Sequence, residues 1–221
     1  MRRFLRNNSL SVVMFGAFLL LWVAQSVTGY LVANAESREH RQPTDTYGQY
    51  LSSGHFVEAT AENWESEFLQ MAAYVFLTVF LVQKGSPESK PPEGDERLEA
   101  DPREARNQPD APGPVRRGGL ALKLYENSLT LTLFSIFLLC LVAHAIGGTA
   151  EFNSEQTAHG EPTVSVLRFA SSSNFWFQSF QNWQSEFLAV GSLTVLGIFL
   201  RQRGSPESKP VAAPHAHTGS S

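Results

Sequence analysis

The string "GSPESKP" occupies Gly85–Pro91 and returns letter for letter at Gly204–Pro210. A polar heptapeptide does not recur by chance in a chain of 221 residues. It aligns the chain on itself, at an offset of 204 − 85 = 119. At that offset Asn8-Ser9-Leu10 falls on Asn127-Ser128-Leu129, and Phe18-Leu19-Leu20 on Phe137-Leu138-Leu139. Pro43-Thr44 falls on Pro162-Thr163, and "NWESEFL" at Asn63–Leu69 on "NWQSEFL" at Asn182–Leu188. No gap is needed from residue 8 to residue 91, and about 35 of about 84 aligned positions are identical. The chain therefore reads as a tandem duplication, residues 8–91 and 127–210, with the heptapeptide closing each copy.

The segment between the copies, residues 92–126, is rich in Pro, Gly and both charges and poor in large apolar side chains. Such a stretch does not bury enough surface to fold, and it is expected to be a disordered cytoplasmic linker. Residues 211–221 read as a similar disordered tail. Its His215 and His217 are taken as solvated rather than metal-binding.

Mean hydropathy is slightly negative at −0.15, but the average hides four apolar blocks set among polar segments. Leu10–Ala33 and Leu129–Ala150 carry no charge and are long enough to cross a bilayer as helices. Phe68–Val82 and Phe187–Leu200 are shorter, a length that also suits a soluble core helix or a re-entrant segment. Starting them at Trp64 and Trp183 brings each to about 20 residues, enough to span.

Charge decides between these readings. With four spans, at about 10–33, 64–83, 129–150 and 183–202, about 14 of the 17 Lys and Arg residues fall on one side. Only Arg38, Arg41 and Arg168 fall on the other. Cytoplasmic loops carry the basic excess, so both termini are expected inside. Arg2, Arg3 and Arg6 before an apolar run ending in Ala33-Asn34-Ala35 imitate a cleavable signal peptide. The run is too long for one, and the second copy uses the same helix deep inside the chain. The expected fold is thus all-α, a membrane protein of four transmembrane helices built as two parallel tandem repeats of a helical hairpin.

The net charge of −4 and the pI near 5.9 argue against a nucleic-acid partner. Cys140 is the sole cysteine, which excludes an internal disulfide and a Cys-based zinc site. No cofactor and no metal site are expected. Glu36 and His40 recur as Glu155 and His159, four apart, a spacing that can hold a metal on a helix but more often reflects a solvated loop. Gln25 and His144 occupy equivalent places and suit hydrogen bonds between helices.

Two repeated motifs remain. In the heptapeptide, Gly85 and Gly204 suit the left-handed position that closes a helix, and Pro87 and Pro206 prevent its continuation. That helix-stop reading leaves the match of Glu88, Ser89 and Lys90 unexplained. In the other motif, Trp64 and Trp183 suit the outer membrane–water interface as anchors. Asn63, Ser66 and Glu67 share one helix face, as do Asn182, Ser185 and Glu186. A carboxylate there is favoured by the helix dipole. The pseudo-symmetry also offers a sharper expectation: Glu67 and Glu186 brought together, flanked by Asn and Ser, as a cation or proton site.

The start "RRFLRNNSLS", the repeated "NWxSEF" and the "GSPESK" exits resemble a family of small bacterial membrane proteins of unknown function. That resemblance covers nearly the whole chain outside linker and tail. It implies a multi-pass protein of the bacterial cytoplasmic membrane and supplies no activity. The leading functional expectation is a non-enzymatic membrane scaffold or interaction protein, with the lipid bilayer, a second copy or another membrane protein as partner. The alternative is a small transporter or channel subunit that uses Glu67 and Glu186.

Overall fold

The computed structural model describes residues 2–214; Met1 and residues 215–221, with His215 and His217, lie outside the described residues. Among those residues the structure is all-helical, without a strand. The helices are α1 (Arg2–Asn7), α2 (Ser9–Glu39), α3 (Tyr47–Tyr50), α4 (Gly54–Phe80) and α5 (Glu96–Glu99). A 3-10 turn at Glu104–Asn107 precedes α6 (Gly113–Arg117), α7 (Gly119–Glu126), α8 (Ser128–Ala158), α9 (Val166–Ala170) and α10 (Ser173–Phe199).

Helices α2 and α8 each run 31 residues and begin 128 − 9 = 119 apart. Helices α4 and α10 each run 27 residues and begin 173 − 54 = 119 apart. The local reasons also come in pairs. Asn8 and Asn127 each turn a side-chain amide back to a carbonyl four residues earlier, Phe4 O and Lys123 O, both at 2.9 Å. Asn34 clamps the loop after α2: its Nδ2 donates to Asp45 O at 3.0 Å and its Oδ1 accepts from Asp45 N at 2.8 Å. Asn153 does the same to Val164, at 2.9 and 2.7 Å. Thr46 then caps α3 and Ser165 caps α9, each accepting from the backbone N–H three residues on.

Helices α2 and α8 are long and apolar enough to span a membrane, and they alone reach that level among the described residues. At about 1.5 Å per residue each measures roughly 46 Å. Leu10, Val13, Phe15, Leu20 and Leu21 of α2 are all exposed, and only 6% of its most apolar window is buried by the protein. The corresponding share for α8 is 22%. A helix apolar all round and left uncovered by its own chain is suited to a membrane span. Helices α4 and α10 are less apolar because Glu58, Glu62, Glu65 and Glu67, and Gln178, Gln181, Gln184 and Glu186, fall in their first halves.

The helices gather into two compact units. One comprises the residues up to Ala61 together with Val142–Phe175. Here the start of α4 crosses α8 on glycine. A methyl group at Gly147 would stand 2.6 Å from Glu58 N, and one at Gly54 would stand 2.6 Å from Glu151 N. Small residues let two backbones approach this closely. Beside the crossing, His144 is fully buried, with its ring 4.6 Å from that of Phe175. Tyr50, with its hydroxyl 3.2 Å from His55 Nδ1, packs on Tyr30 and Phe56.

The other unit comprises Glu62–Leu141 and the residues from Trp176 onward. It includes the stretch expected to be a disordered linker. That stretch forms short helices here, with Ala111, Val115 and Leu122 buried together and Lys90 paired to Glu99 at 2.8 Å.

The glycine crossing generates a prediction. Gly147→Leu should lower the melting temperature in detergent by roughly 2–10 °C, because overpacking costs about 1–3 kcal/mol. Gly16→Leu, whose added Cβ would meet nothing within 4 Å, should leave it unchanged.

Candidate functional site

Within the second unit α4 carries a row of polar side chains. Glu62, Ser66, Gln70 and Tyr74 recur every four residues, with Glu65 one position before Ser66. Residues spaced by four lie one above another on a helix, so this row climbs about 18 Å along α4. It is withdrawn from solvent: Glu65 is 0%, Ser66 2% and Gln70 4% exposed.

At the Glu62 end the acids meet α10. Asn182 Nδ2 donates to Glu62 Oε1, and Trp183 Nε1 donates to Glu65 Oε1 at 3.0 Å. Phe137 lies edge-on to Trp183, and Cys140 is close enough to Glu65 to feel its charge. A carboxylate removed from water requires such donors, since an isolated buried charge is prohibitively costly. Ser179, three residues before Asn182 on α10, is fully buried and its Oγ has no hydrogen-bond partner. Gln70 Nε2, farther along α4, is likewise buried without a partner.

At the Tyr74 end the row reaches the heptapeptides. Tyr74 Oη donates to Glu88 O at 2.9 Å and lies 3.2 Å from Glu88 Oε2, with Thr194 beside it. Each heptapeptide folds on itself in the same way. Gly85 and Gly204 sit at φ 86° and 84°, the left-handed region that glycine tolerates. Ser89 Oγ accepts from Gln83 N at 2.8 Å, and Ser208 Oγ from Gln202 N at 2.9 Å. Ser86 and Ser205 accept from Glu88 N and Glu207 N. The repeated serines thus satisfy backbone donors past the helix ends, the part of the motif that a simple stop signal left open.

The two heptapeptides meet at Gly197 of α10. A Cβ there would lie 3.2 Å from Glu207 O and 3.4 Å from Pro87 Cδ. The Glu88 and Glu207 carboxyls, equivalent residues of the two strings, are within hydrogen-bonding reach of each other. This contact with Glu207, together with burial, raises the Glu88 carboxyl above its ordinary value of 4.5, against a smaller opposing effect of the Tyr74 hydroxyl.

The residues singled out from sequence are placed differently. Glu67 is exposed and Glu186 half-buried, and they are near enough for the charge of Glu67 to act on Glu186. Ser66 and Ser185 direct their hydroxyls to Asn63 O and Asn182 O, both at 2.8 Å, within their own helices. Asn63 is exposed. Trp64 is half-buried, and so is Trp183, whose indole N–H faces a carboxylate. Glu62, Glu65, Gln70 and Tyr74 escaped the motif reading because the second copy has Gln181, Gln184, Ala189 and Leu193 in their places. The signal was the single mismatch inside "NWESEFL" and "NWQSEFL".

Other clusters are plainer. Glu36, His40, Glu155 and His159 are exposed, and among the described residues no three His, Cys, Asp or Glu side chains gather as metal ligands. A cavity of about 280 Å³ in the stretch between the two copies is lined by Arg103, Arg106 and Lys123, all exposed.

The profile of a family described as a domain of unknown function (DUF6766) matches residues 1–220. The chain belongs to the DUF6766 family. No curated protein and no solved structure matches it. The family covers both helix pairs, the polar row and both heptapeptides, and it brings no activity with it.

The Glu88 contact predicts a pH dependence with a definite sign. The folded state holds this proton more tightly than the unfolded chain does. The resulting stability is full below the ordinary value of 4.5 and is lost as pH climbs through the raised one. Melting temperature in detergent should therefore fall as pH rises above the ordinary value of 4.5, and Glu88→Gln should flatten that slope. An identical slope in the variant would show that the carboxyl titrates normally.

Proposed function

We propose that the chain is a four-span protein of the bacterial cytoplasmic membrane that works as a small transporter or channel subunit for a cation. In this reading α2, α4, α8 and α10 all cross, the copies are parallel repeats, and both termini are cytoplasmic. The matched helix lengths at an offset of 119 and the distribution of Lys and Arg support that topology. Helices α4 and α10 then cross as well, with the buried polar row of α4 turned away from lipid.

One observation carries the functional choice: Glu65, 0% exposed, on a helix that continues into a buried polar row. A passive scaffold has no use for an acid in that position. Ionisable residues inside membrane helices usually mark ion or proton pathways, and their partners here are Trp183 and, for Glu62, Asn182. The two copies divide the work: α4 carries the acids, while α10 carries glutamines at the equivalent positions and supplies donors from Asn182 and Trp183. Four helices enclose little space, so assembly with further copies belongs to the proposal. No enzymatic chemistry is proposed.

Two tests follow. Purified protein in liposomes should pass a cation down an imposed gradient, assayed for protons, sodium and potassium separately. Glu65→Gln should slow the flux at least about tenfold, the scale of losing one charge-assisted hydrogen bond of about 1.5–3 kcal/mol. Equal flux through wild-type and empty vesicles would end the transport reading. For topology, Asp45→Cys and Asp95→Cys are placed singly in a Cys140→Ser background. An impermeant thiol reagent applied to intact cells should label the former and spare the latter. Labelling of both from outside would refute the crossing of α4.

A further inference from the structure

We propose that the ion handled is the proton, and that Glu88 and Glu207 of the two heptapeptides together form its binding site at the end of the α4 polar row. The site deepens the transport reading and rests on it for its role in flux, while proton binding itself can be tested alone.

Four observations converge on it. First, both heptapeptides pack at Gly197, which brings equivalent carboxyls of the two copies within hydrogen-bonding reach. Two carboxylates that close do not both ionise; one proton held between them resolves the contact. Second, Glu88 Oε1 is buried and, among the described residues, receives no N–H or O–H, so a proton on the pair is what satisfies it. Third, Tyr74 Oη contacts Glu88 Oε2 at 3.2 Å and joins the pair to the α4 row, with Thr194 of α10 at its side. Fourth, Gln70 Nε2, one turn from Tyr74 on the same row, is buried and without a partner. It marks a break that a water or a passing hydronium can fill between Tyr74 and the acids at Glu62 and Glu65.

The chemistry selects a proton over a metal ion. The site offers two carboxyls and one tyrosine hydroxyl, and among the described residues no third His, Cys, Asp or Glu joins them. Calcium takes about six to eight oxygen ligands, far more than this set supplies. Lys90 is engaged by Glu99 at 2.8 Å, and Lys209, its counterpart in the second string, is buried with its backbone N–H on Gly197 O at 3.1 Å. The step is a transfer of one proton between Glu88 and Glu207 carboxyl oxygens, with no change of covalent bonding elsewhere. Recurrence of "GSPESKP" thereby gains its reason: the string builds half of a two-acid site in each copy.

The experiment is infrared spectroscopy of the full chain in lipid nanodiscs, followed by proton flux on the same samples in liposomes. Wild type should keep the carbonyl band of a protonated carboxyl above the ordinary carboxyl value of 4.5, and this band should vanish on titration to higher pH. Glu88→Gln and Glu207→Gln should each remove it and each slow proton flux about tenfold or more. Glu93→Gln, an acid outside the pair, should change neither. A wild type without the band, or a band that survives both substitutions, overturns the proposal. A band lost in both variants while proton flux proceeds at the wild-type rate overturns it as well. If the band behaves as expected and wild type passes no ion, the proton site stands and the transport reading falls. If sodium or potassium passes and protons do not, the transport reading stands and this inference falls.

Discussion

A carboxylate taken out of water must find donors, and much of this molecule is arranged around that requirement. Glu65 is fully buried and meets the indole N–H of Trp183; Glu62 meets the amide of Asn182. Both donors come from α10, about 120 residues away in sequence. These bonds fix which faces of α4 and α10 look at each other, because a helix that turned away would leave an acid unpaired in an apolar setting. The same orientation places Tyr74 toward Thr194 and the heptapeptides around Gly197.

The two copies have diverged in a chemically consistent way. Acids at 62 and 65 become glutamines at 181 and 184, and Gln70 and Tyr74 become Ala189 and Leu193. One helix of the pair keeps the polar row and the other becomes its more apolar partner with a few donors. The parts concerned with chain direction did not diverge. Asn34 and Asn153, Gly85 and Gly204, and the four heptapeptide serines keep both identity and hydrogen bonds. Loop closure and helix exit depend on local backbone geometry, which is the same in each copy; the interior depends on a partner that differs between them.

Several features could be read directly from the residues. Apolar runs announced α2 and α8, and the self-alignment announced that α4 and α10 would match in length. Gly85 and Gly204 announced the left-handed exits that the backbone shows. Asn34 and Asn153 stand 153 − 34 = 119 apart, the offset of the repeat, yet nothing in the sequence around them shows that each clamps a backbone eleven residues on. Glu62 and Glu65 carry no repeat signal: the duplicated motif marks Glu67 and Glu186, which recur, whereas glutamines stand at 181 and 184.

What the sequence determined by itself is what neighbours along the chain set: the all-helical character, the two long apolar helices and the glycine exits. Composition and short-range spacing suffice there because the forces act within a few residues. Tertiary structure alone decided which carboxyls meet which partners, Glu62 with Asn182, Glu65 with Trp183 and Glu88 with Glu207. Those pairings depend on how far each helix is rotated about its own axis. Periodicity gives a face but not its bearing toward a helix more than a hundred residues distant, and only the packed molecule fixes that angle.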